Sequence, residues 1–215
     1  MDPQRFAEQL PGLFDRFPAS PHPRDRRFEA VLGAVPGLAC ENNLALVNLA
    51  ASLLDPGESY VEIGTFRGTS LIAAQLGNDG DFVAVDNFSF RDGSRAALDA
   101  NLVHFGLDGR ATVIEGDAFT LVPSGALGDR RVGVYYYDAS HAYEDQLRGL
   151  RMIEPHLAGP ALMIVDDTDW ERVAAATRDY LEGQPRARLL VSVEGKERGQ
   201  PAWWEGMQVI AWEPE

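Results

Sequence analysis

The chain is poor in lysine and cysteine. Lys196 is its one lysine, and 33 acidic residues outnumber 19 basic ones, which gives a formal net charge of −14. A surface with this excess of negative charge repels nucleic acid and anionic lipid, so neither is expected as a partner. Cys40 is the one cysteine, which excludes an internal disulfide bond and agrees with a reducing compartment.

The chain also lacks long hydrophobic stretches. No apolar run is long enough to span a bilayer, and the segment from Met1 to Arg5 forms no apolar signal region. These absences predict a cytoplasmic protein. With 215 residues, of which 45% are hydrophobic, the chain is long enough to fold as one α/β domain with a sizeable core.

Short apolar runs alternate with helical patterns from residue 60 onward. This alternation predicts a mainly parallel, Rossmann-like sheet with helices on both faces. The last two runs are joined without a helical pattern, so the final strand is expected to be antiparallel to its neighbour. The seven predicted strands are Tyr60–Ile63, Phe82–Val85, Ala111–Ile114, Val132–Tyr137, Ala161–Val165, Arg188–Val193 and Met207–Trp212. The helical patterns are Ser70–Leu76, Ser94–Phe105, Tyr143–Ile153 and Trp170–Leu181.

The first 54 residues have a different pattern from the rest. They indicate helices interrupted by Pro18, Pro21 and Pro23. We expect residues 1–54 to belong to the same domain as residues 55–215, which contain the predicted sheet. The segment is expected to serve as a lid or as the surface of a homodimer, and the sequence leaves that choice open.

A glycine loop follows the first predicted strand. Glu62 closes the strand, Gly64 and Gly68 bracket the loop, and Ser70 lies in the first turn of the next helix. This arrangement brings backbone N–H groups close to a nucleotide-like ligand. The spacing Gly-x-x-x-Gly differs from that of dinucleotide-binding folds and of phosphate-binding loops. The alternative is an ordinary strand-to-helix turn that needs glycine.

Polar residues follow the second and third predicted strands. Asp86, which Asn87 follows, comes 24 residues after Glu62, close to the ~20-residue offset of a ribose-binding carboxylate in dinucleotide folds. A turn-forming aspartate is the alternative. Asp117 and Ala118 follow the third strand, at the same expected edge of the sheet. Capping of a short helix is the alternative for Asp117.

Three carboxylates follow the next two strands. Asp138 ends the fourth strand, and Asp166 and Asp167 end the fifth. Adjacent strands lie ~5 Å apart, so these side chains are expected to converge and to repel one another. A divalent cation that prefers oxygen ligands, such as Mg²⁺, would relieve the repulsion. Capping of the helix that begins near Trp170 is the alternative.

Together these motifs resemble class I S-adenosylmethionine (SAM)-dependent methyltransferases. Asp138 with Asp166 and Asp167 resembles the metal site of the catechol-type and macrocin-type O-methyltransferases, and the likeness covers roughly residues 43–212. It implies that Asp117 and Ala118 hold adenine, while the glycine loop faces the methionine part of SAM. The implied cofactor-binding residues are Glu62, Gly64, Thr65, Phe66, Gly68, Ser70, Asp86, Asn87, Asp117, Ala118 and Asp138.

The resemblance also implies a reaction. In catechol-type enzymes a lysine three residues after the first metal aspartate is the general base, and His141 holds that position here. We therefore expect Mg²⁺-assisted methylation of a hydroxyl on a small molecule, such as a natural-product sugar or phenol, with His141 and Asp138 as the catalytic residues. A metal-independent methyltransferase and a SAM-binding module without catalysis remain as alternatives.

Overall fold

The computed structural model describes residues 1–195 and 202–213, and within these ranges the chain forms one seven-stranded sheet. The strand order is β3-β2-β1-β4-β5-β7-β6; β1 to β5 run parallel, and β7 is antiparallel to both of its neighbours. The predicted fold class is confirmed. The strands are β1 Glu58–Ile63, β2 Asp81–Asp86, β3 Ala111–Glu115, β4 Arg131–Tyr137, β5 Leu157–Asp166, β6 Ala187–Val193 and β7 Met207–Trp212.

Helices cover both faces of the sheet because side chains alternate along each strand. Tyr60 packs in a core cluster with the N-terminal helices, and its neighbour Val61 packs in a second cluster on the opposite face. The helices are α1 Pro3–Gln9, α2 Arg27–Ala34, α3 Glu41–Ser52, α4 Thr69–Gln75, α5 Arg95–His104, α6 Ala118–Leu121, α7 Tyr143–Met152 and α8 Glu171–Gly183.

Two differences from the sequence-based prediction go beyond shifts of one or two residues at the end of an element. Strand β5 begins at Leu157 rather than Ala161, since Gly159 and Pro160 are tolerated within its first half. The four-residue helix α6 was considered only as the short helix that Asp117 could cap and was given no bounds, because a segment this short shows no helical period. Neither difference moves the carboxyl end of a strand, where the predicted site residues lie.

The N-terminal segment packs against the sheet domain. Phe6, Leu10 and Phe14 are buried in the same core cluster as strand residues of the sheet. The ring of Trp203 lies 5.5 Å from that of Phe14, and its indole N–H donates to the backbone oxygen of Pro18. The segment thus braces the loop before β7. Its role as a lid or dimer surface stays a prediction.

Within the described residues, no helix has the length and hydrophobicity that a membrane span requires.

Candidate active site

A cavity of about 660 Å³ opens at the carboxyl edge of the parallel strands. Its lining comes from the loops after β1 to β5, from the loop before α3 and from the loop before β7. The strand order reverses between β1 and β4, and ligands of open α/β sheets bind at such a point. The cavity therefore lies where the topology predicts a binding site.

The glycine loop approaches the end of β4 very closely. Gly64 has φ of 88°, and a Cβ atom there would lie 1.9 Å from the backbone oxygen of Asp138. At Gly68, with φ of 89°, a Cβ atom would lie 2.4 Å from a methyl carbon of Leu98. Gly64 requires glycine for packing as well as for backbone conformation, whereas Gly68 requires it for backbone conformation, because the Leu98 methyl group could move. Gly64 lines the cavity, whereas Gly68 is buried at the start of α4.

Glu62 lies behind the cavity wall. Its side chain is fully buried and accepts hydrogen bonds from the Tyr60 hydroxyl at 2.7 Å and the Ser70 hydroxyl at 3.2 Å. Burial raises the pKa of Glu62 to about 7, although these hydrogen bonds act in the opposite direction. Ser70 itself lines the cavity. Glu62 therefore does not line the cavity itself and is connected to it through the Ser70 hydroxyl.

Asp86 braces the glycine loop. One of its carboxylate oxygens accepts the backbone N–H groups of Thr65 at 2.8 Å and Phe66 at 2.7 Å, and the other accepts that of Phe88 at 2.6 Å. Three charge-assisted hydrogen bonds hold two loops against one side chain. Asp86 and the exposed Asn87 both line the cavity, as do Thr65 and Phe66.

Asp117 caps helix α6 and also lines the cavity. Its carboxylate accepts the backbone N–H of Phe119 at 3.1 Å and the hydroxyl of Thr120 at 2.7 Å. The side chain is exposed, and the buried Ala118 follows it in the cavity wall. The capping role and a position beside a ligand are therefore compatible.

Asp138, His141 and Asp167 form an acidic cluster across the cavity. One potential ligand atom from each lies within 4.8 Å of the others, and His141 Nε2 is 2.9 Å from Asp167 Oδ2. Asp167 has φ of 56°, a left-handed conformation that is costly for a residue other than glycine. Backbone strain of this kind often accompanies a functional site.

The charge of Asp138 is not balanced. No hydrogen bond from the described residues reaches its carboxylate. Burial, followed by the nearby charges of Asp166 and Asp167, raises the pKa of Asp138 well above its usual range. An unpartnered carboxylate beside two other potential ligands fits a divalent cation, which would remove the repulsion.

Asp166 lies beside this cluster, and protein groups already bind its carboxylate. It is the last residue of β5, and its carboxylate accepts the Tyr136 hydroxyl, the Asn43 amide at 3.4 Å and the Asp167 backbone N–H at 3.0 Å. Burial, then the charge of Asp167, raises the pKa of Asp166 to about 7. The predicted metal set of Asp138, Asp166 and Asp167 stays a prediction; among the described residues, the group with ligand atoms within 4.8 Å of one another consists of Asp138, His141 and Asp167.

Aromatic side chains form the outer wall. Phe90 and Trp170 are exposed and line the cavity together with Trp204. The rings of Trp170 and His141 lie 5.1 Å apart, edge to face. Trp203, the neighbour of Trp204 in the chain, is buried against the N-terminal segment. The rings of these two neighbouring tryptophans therefore have different surroundings, one in the core and one at the cavity.

Sequence reasoning missed two residues that support the site. Tyr136 precedes Asp138 by two positions, so the alternation of β4 indicates that they share a face. Asn43 belongs to α3, 123 residues before its partner Asp166, and no local pattern predicts that contact.

Comparisons with known proteins agree with this geometry. A family model described as a methyltransferase domain matches residues 61–168, half of the chain. No curated protein matches. The solved O-methyltransferase TomG from Streptomyces achromogenes, which is involved in tomaymycin synthesis and was solved with SAM, is similar with a TM-score of 0.67, 17% identity and full coverage of both chains.

Two further solved structures share the fold. The O-methyltransferase from Bacillus cereus, in complex with S-adenosylhomocysteine (SAH), has a TM-score of 0.62 at 14% identity and covers 99% of this chain and 100% of its own. CalS11, the TDP-rhamnose 3'-O-methyltransferase of calicheamicin biosynthesis, has a TM-score of 0.55 at 18% identity, with coverage of 98% and 92%. The chain belongs to the methyltransferase-domain family and is a class I SAM-dependent methyltransferase.

Proposed function

We propose that this enzyme transfers the methyl group of SAM to a hydroxyl of a small molecule, with Mg²⁺ held by Asp138 and Asp167. The observation that carries the proposal is the shared cavity, whose lining includes Asp86 and Asp117 on one side and the acidic cluster on the other. The methyl donor and the cation would thus lie within reach of one substrate.

The two kinds of ligand would have distinct binding residues. Backbone groups of the glycine loop, Asp86 and Asp117 would hold SAM, while Asp138 and Asp167 supply the oxygen ligands that Mg²⁺ prefers. When bound, the cation supplies positive charge that lowers the pKa of a substrate hydroxyl, and SAM supplies an electrophilic methyl group.

His141 has the position of a general base. Its Nε2 lies 2.9 Å from Asp167 Oδ2, so an imidazole protonated at Nε2 would donate to Asp167 and leave Nδ1 to accept a proton. Asp167 would therefore orient the imidazole as well as bind the cation. The aromatic wall of Trp170 and Trp204 would orient a ring-shaped substrate and exclude water from the reacting hydroxyl.

Two of the similar structures support hydroxyls of natural products as acceptors. One acts in tomaymycin synthesis and the other methylates the 3'-position of TDP-rhamnose. We propose a natural-product sugar or phenol as the substrate class. The acidity of the cavity favours neutral substrates over anionic ones, since four aspartates line it: Asp86, Asp117, Asp138 and Asp167.

Calorimetry tests this function in two steps. The wild-type protein is titrated first with SAH and then, at saturation, with Mg²⁺, beside Asp167→Asn and the control Asp179→Asn, which changes an exposed aspartate on α8. We expect all three proteins to bind SAH and only Asp167→Asn to lose the Mg²⁺ heat.

Other outcomes separate the alternatives. SAH binding without a Mg²⁺ response in wild type favours a metal-independent enzyme. A screen of hydroxyl and amine acceptors, with and without chelator, then distinguishes that enzyme from a SAM-binding module, which would methylate none of them.

A further inference from the structure

The side chain of Asn43 joins two parts of the cavity wall that are distant in sequence. Asn43 lies near the start of α3 and is 1% exposed. Its Nδ2 donates to Asp166 Oδ1 at 3.4 Å and to the Trp204 backbone oxygen at 3.3 Å. Its Oδ1 accepts the Trp204 backbone N–H at 2.9 Å. One amide thus connects α3, the end of β5 and the loop before β7.

The first connection leads to Asp167. The same Oδ1 of Asp166 that accepts from Asn43 also accepts the Asp167 backbone N–H at 3.0 Å. This hydrogen bond holds the residue whose backbone is left-handed, so the surroundings must maintain a conformation that Asp167 does not prefer. Tyr136 donates to the other oxygen of Asp166 and completes its support.

The second connection leads to the substrate wall. Asn43 satisfies both the N–H and the C=O of Trp204, as a neighbouring strand would. Loss of the amide would leave two peptide groups without partners in a partly buried loop, which is costly. The loop would move to find other partners, and the Trp204 ring would move with it.

From these contacts we infer that Asn43 is a positioning residue that sets the Asp167 carboxylate and the Trp204 wall relative to each other. The inference rests on the proposed function, in which Asp167 binds the cation. Asn43 touches neither substrate nor cation; it acts through Asp166 on one side and through the Trp204 backbone on the other.

The test compares Asn43→Leu with Asn48→Leu. Asn48 is also buried on α3, and its Nδ2 donates to the backbone oxygens of Ala73 at 2.7 Å and Leu76 at 2.9 Å, away from the cavity. Mn²⁺ affinity is measured on the SAH-saturated proteins. We expect Asn43→Leu to bind Mn²⁺ about 10–100-fold more weakly than wild type, and Asn48→Leu to bind as wild type does.

Fluorescence supplies an independent readout. The emission of Trp204 is isolated in each background as the difference from a Trp204→Phe counterpart. We expect a red shift of this emission in Asn43→Leu and none in Asn48→Leu. If Asn43→Leu does not fold, Asn43→Ala replaces it, since alanine removes the amide without adding a branched side chain.

The outcomes are distinct. Unchanged Mn²⁺ affinity and unchanged emission in the Asn43 variant overturn the inference, as does an equal loss in both asparagine variants. If wild type itself binds no Mn²⁺, the cation part of the proposed function fails, and the emission of Trp204 alone then decides the role of Asn43.

Discussion

The two halves of the cavity differ in how their charges are satisfied. In the glycine-loop half, formed by residues after β1, β2 and β3, the carboxylate of Asp86 accepts three backbone N–H groups. In the acidic half, formed by Asp138, His141 and Asp167, the Asp138 carboxylate accepts no hydrogen bond from the described residues. In the glycine-loop half, protein groups satisfy the Asp86 carboxylate. In the acidic half, repulsion among carboxylates destabilises the protein, and a bound cation would remove that repulsion.

This difference indicates a division of labour. A preformed half binds its ligand without rearrangement, so little conformational entropy is lost. The acidic half, in which the charge of Asp138 is unpaired, gains more free energy from a bound cation than the glycine-loop half does. It is therefore the half that would bind a cation selectively. Four substitutions test the comparison.

Gly64→Ala has the largest expected effect. The new Cβ would collide with the backbone oxygen of Asp138 and would require φ near 88° in an alanine. We expect a loss of about 4 kcal/mol or more of unfolding free energy and no measurable SAH binding. Chemical denaturation and calorimetry measure both, with Gly12→Ala as a control because its Cβ meets nothing within 4 Å. Normal SAH affinity in Gly64→Ala would refute the close approach of the two halves.

Glu62→Gln tests the pH dependence of the glycine-loop half. The pKa of Glu62 is about 7 in the folded state, against 4.5 ordinarily, so the folded state binds more protons between these values. Wild-type stability therefore falls as pH rises from about 4.5 to 7. We expect Glu62→Gln to remove this decline and to be more stable than wild type by up to about 3 kcal/mol at pH 8.

Urea denaturation at pH 5 and pH 8 measures the effect of Glu62→Gln. Glu115→Gln, which changes an exposed residue at the end of β3, is the matched control. If the unfolding free energies of Glu62→Gln and wild type changed equally with pH, burial would not raise the pKa of Glu62 in the folded state.

Asp138→Asn tests the acidic half. Because its pKa is raised by burial and by neighbouring carboxylates, ionised Asp138 destabilises the cation-free protein as pH rises. We expect the variant to be more stable than wild type at pH 8 without divalent cations, and to lose stabilisation by Mn²⁺. Thermal denaturation with and without Mn²⁺ measures both. A variant that is less stable than wild type at pH 8 would mean that the charge is already compensated.

Asp117→Ala has the smallest expected effect. Loss of the α6 cap should cost about 1 kcal/mol of stability, as should loss of the α5 cap in the control Ser94→Ala. Only Asp117→Ala should weaken SAH binding, by several-fold. If Asp117 accepts a hydrogen bond from the adenine amino group, wild type should prefer SAH to its inosine analogue and the variant should not. An unchanged preference would remove Asp117 from adenine recognition.

Local pattern predicted most of the fold. The periods of apolar residues located all seven strands within a few residues, because buried parallel strands leave continuous apolar runs. Helix α6 was given no bounds because four residues contain barely one turn. The site residues after each strand were predicted because the carboxyl ends of parallel strands share one edge of the sheet.

The sequence by itself determined the sheet, the glycine loop and the placement of five acidic segments at one edge. Only the tertiary structure decided which carboxylates face one another. The Asp166 carboxylate accepts the amide of Asn43, whereas Asp167 lies beside His141. Such choices depend on contacts between residues as far apart as 123 positions, and no periodicity within a single segment records them.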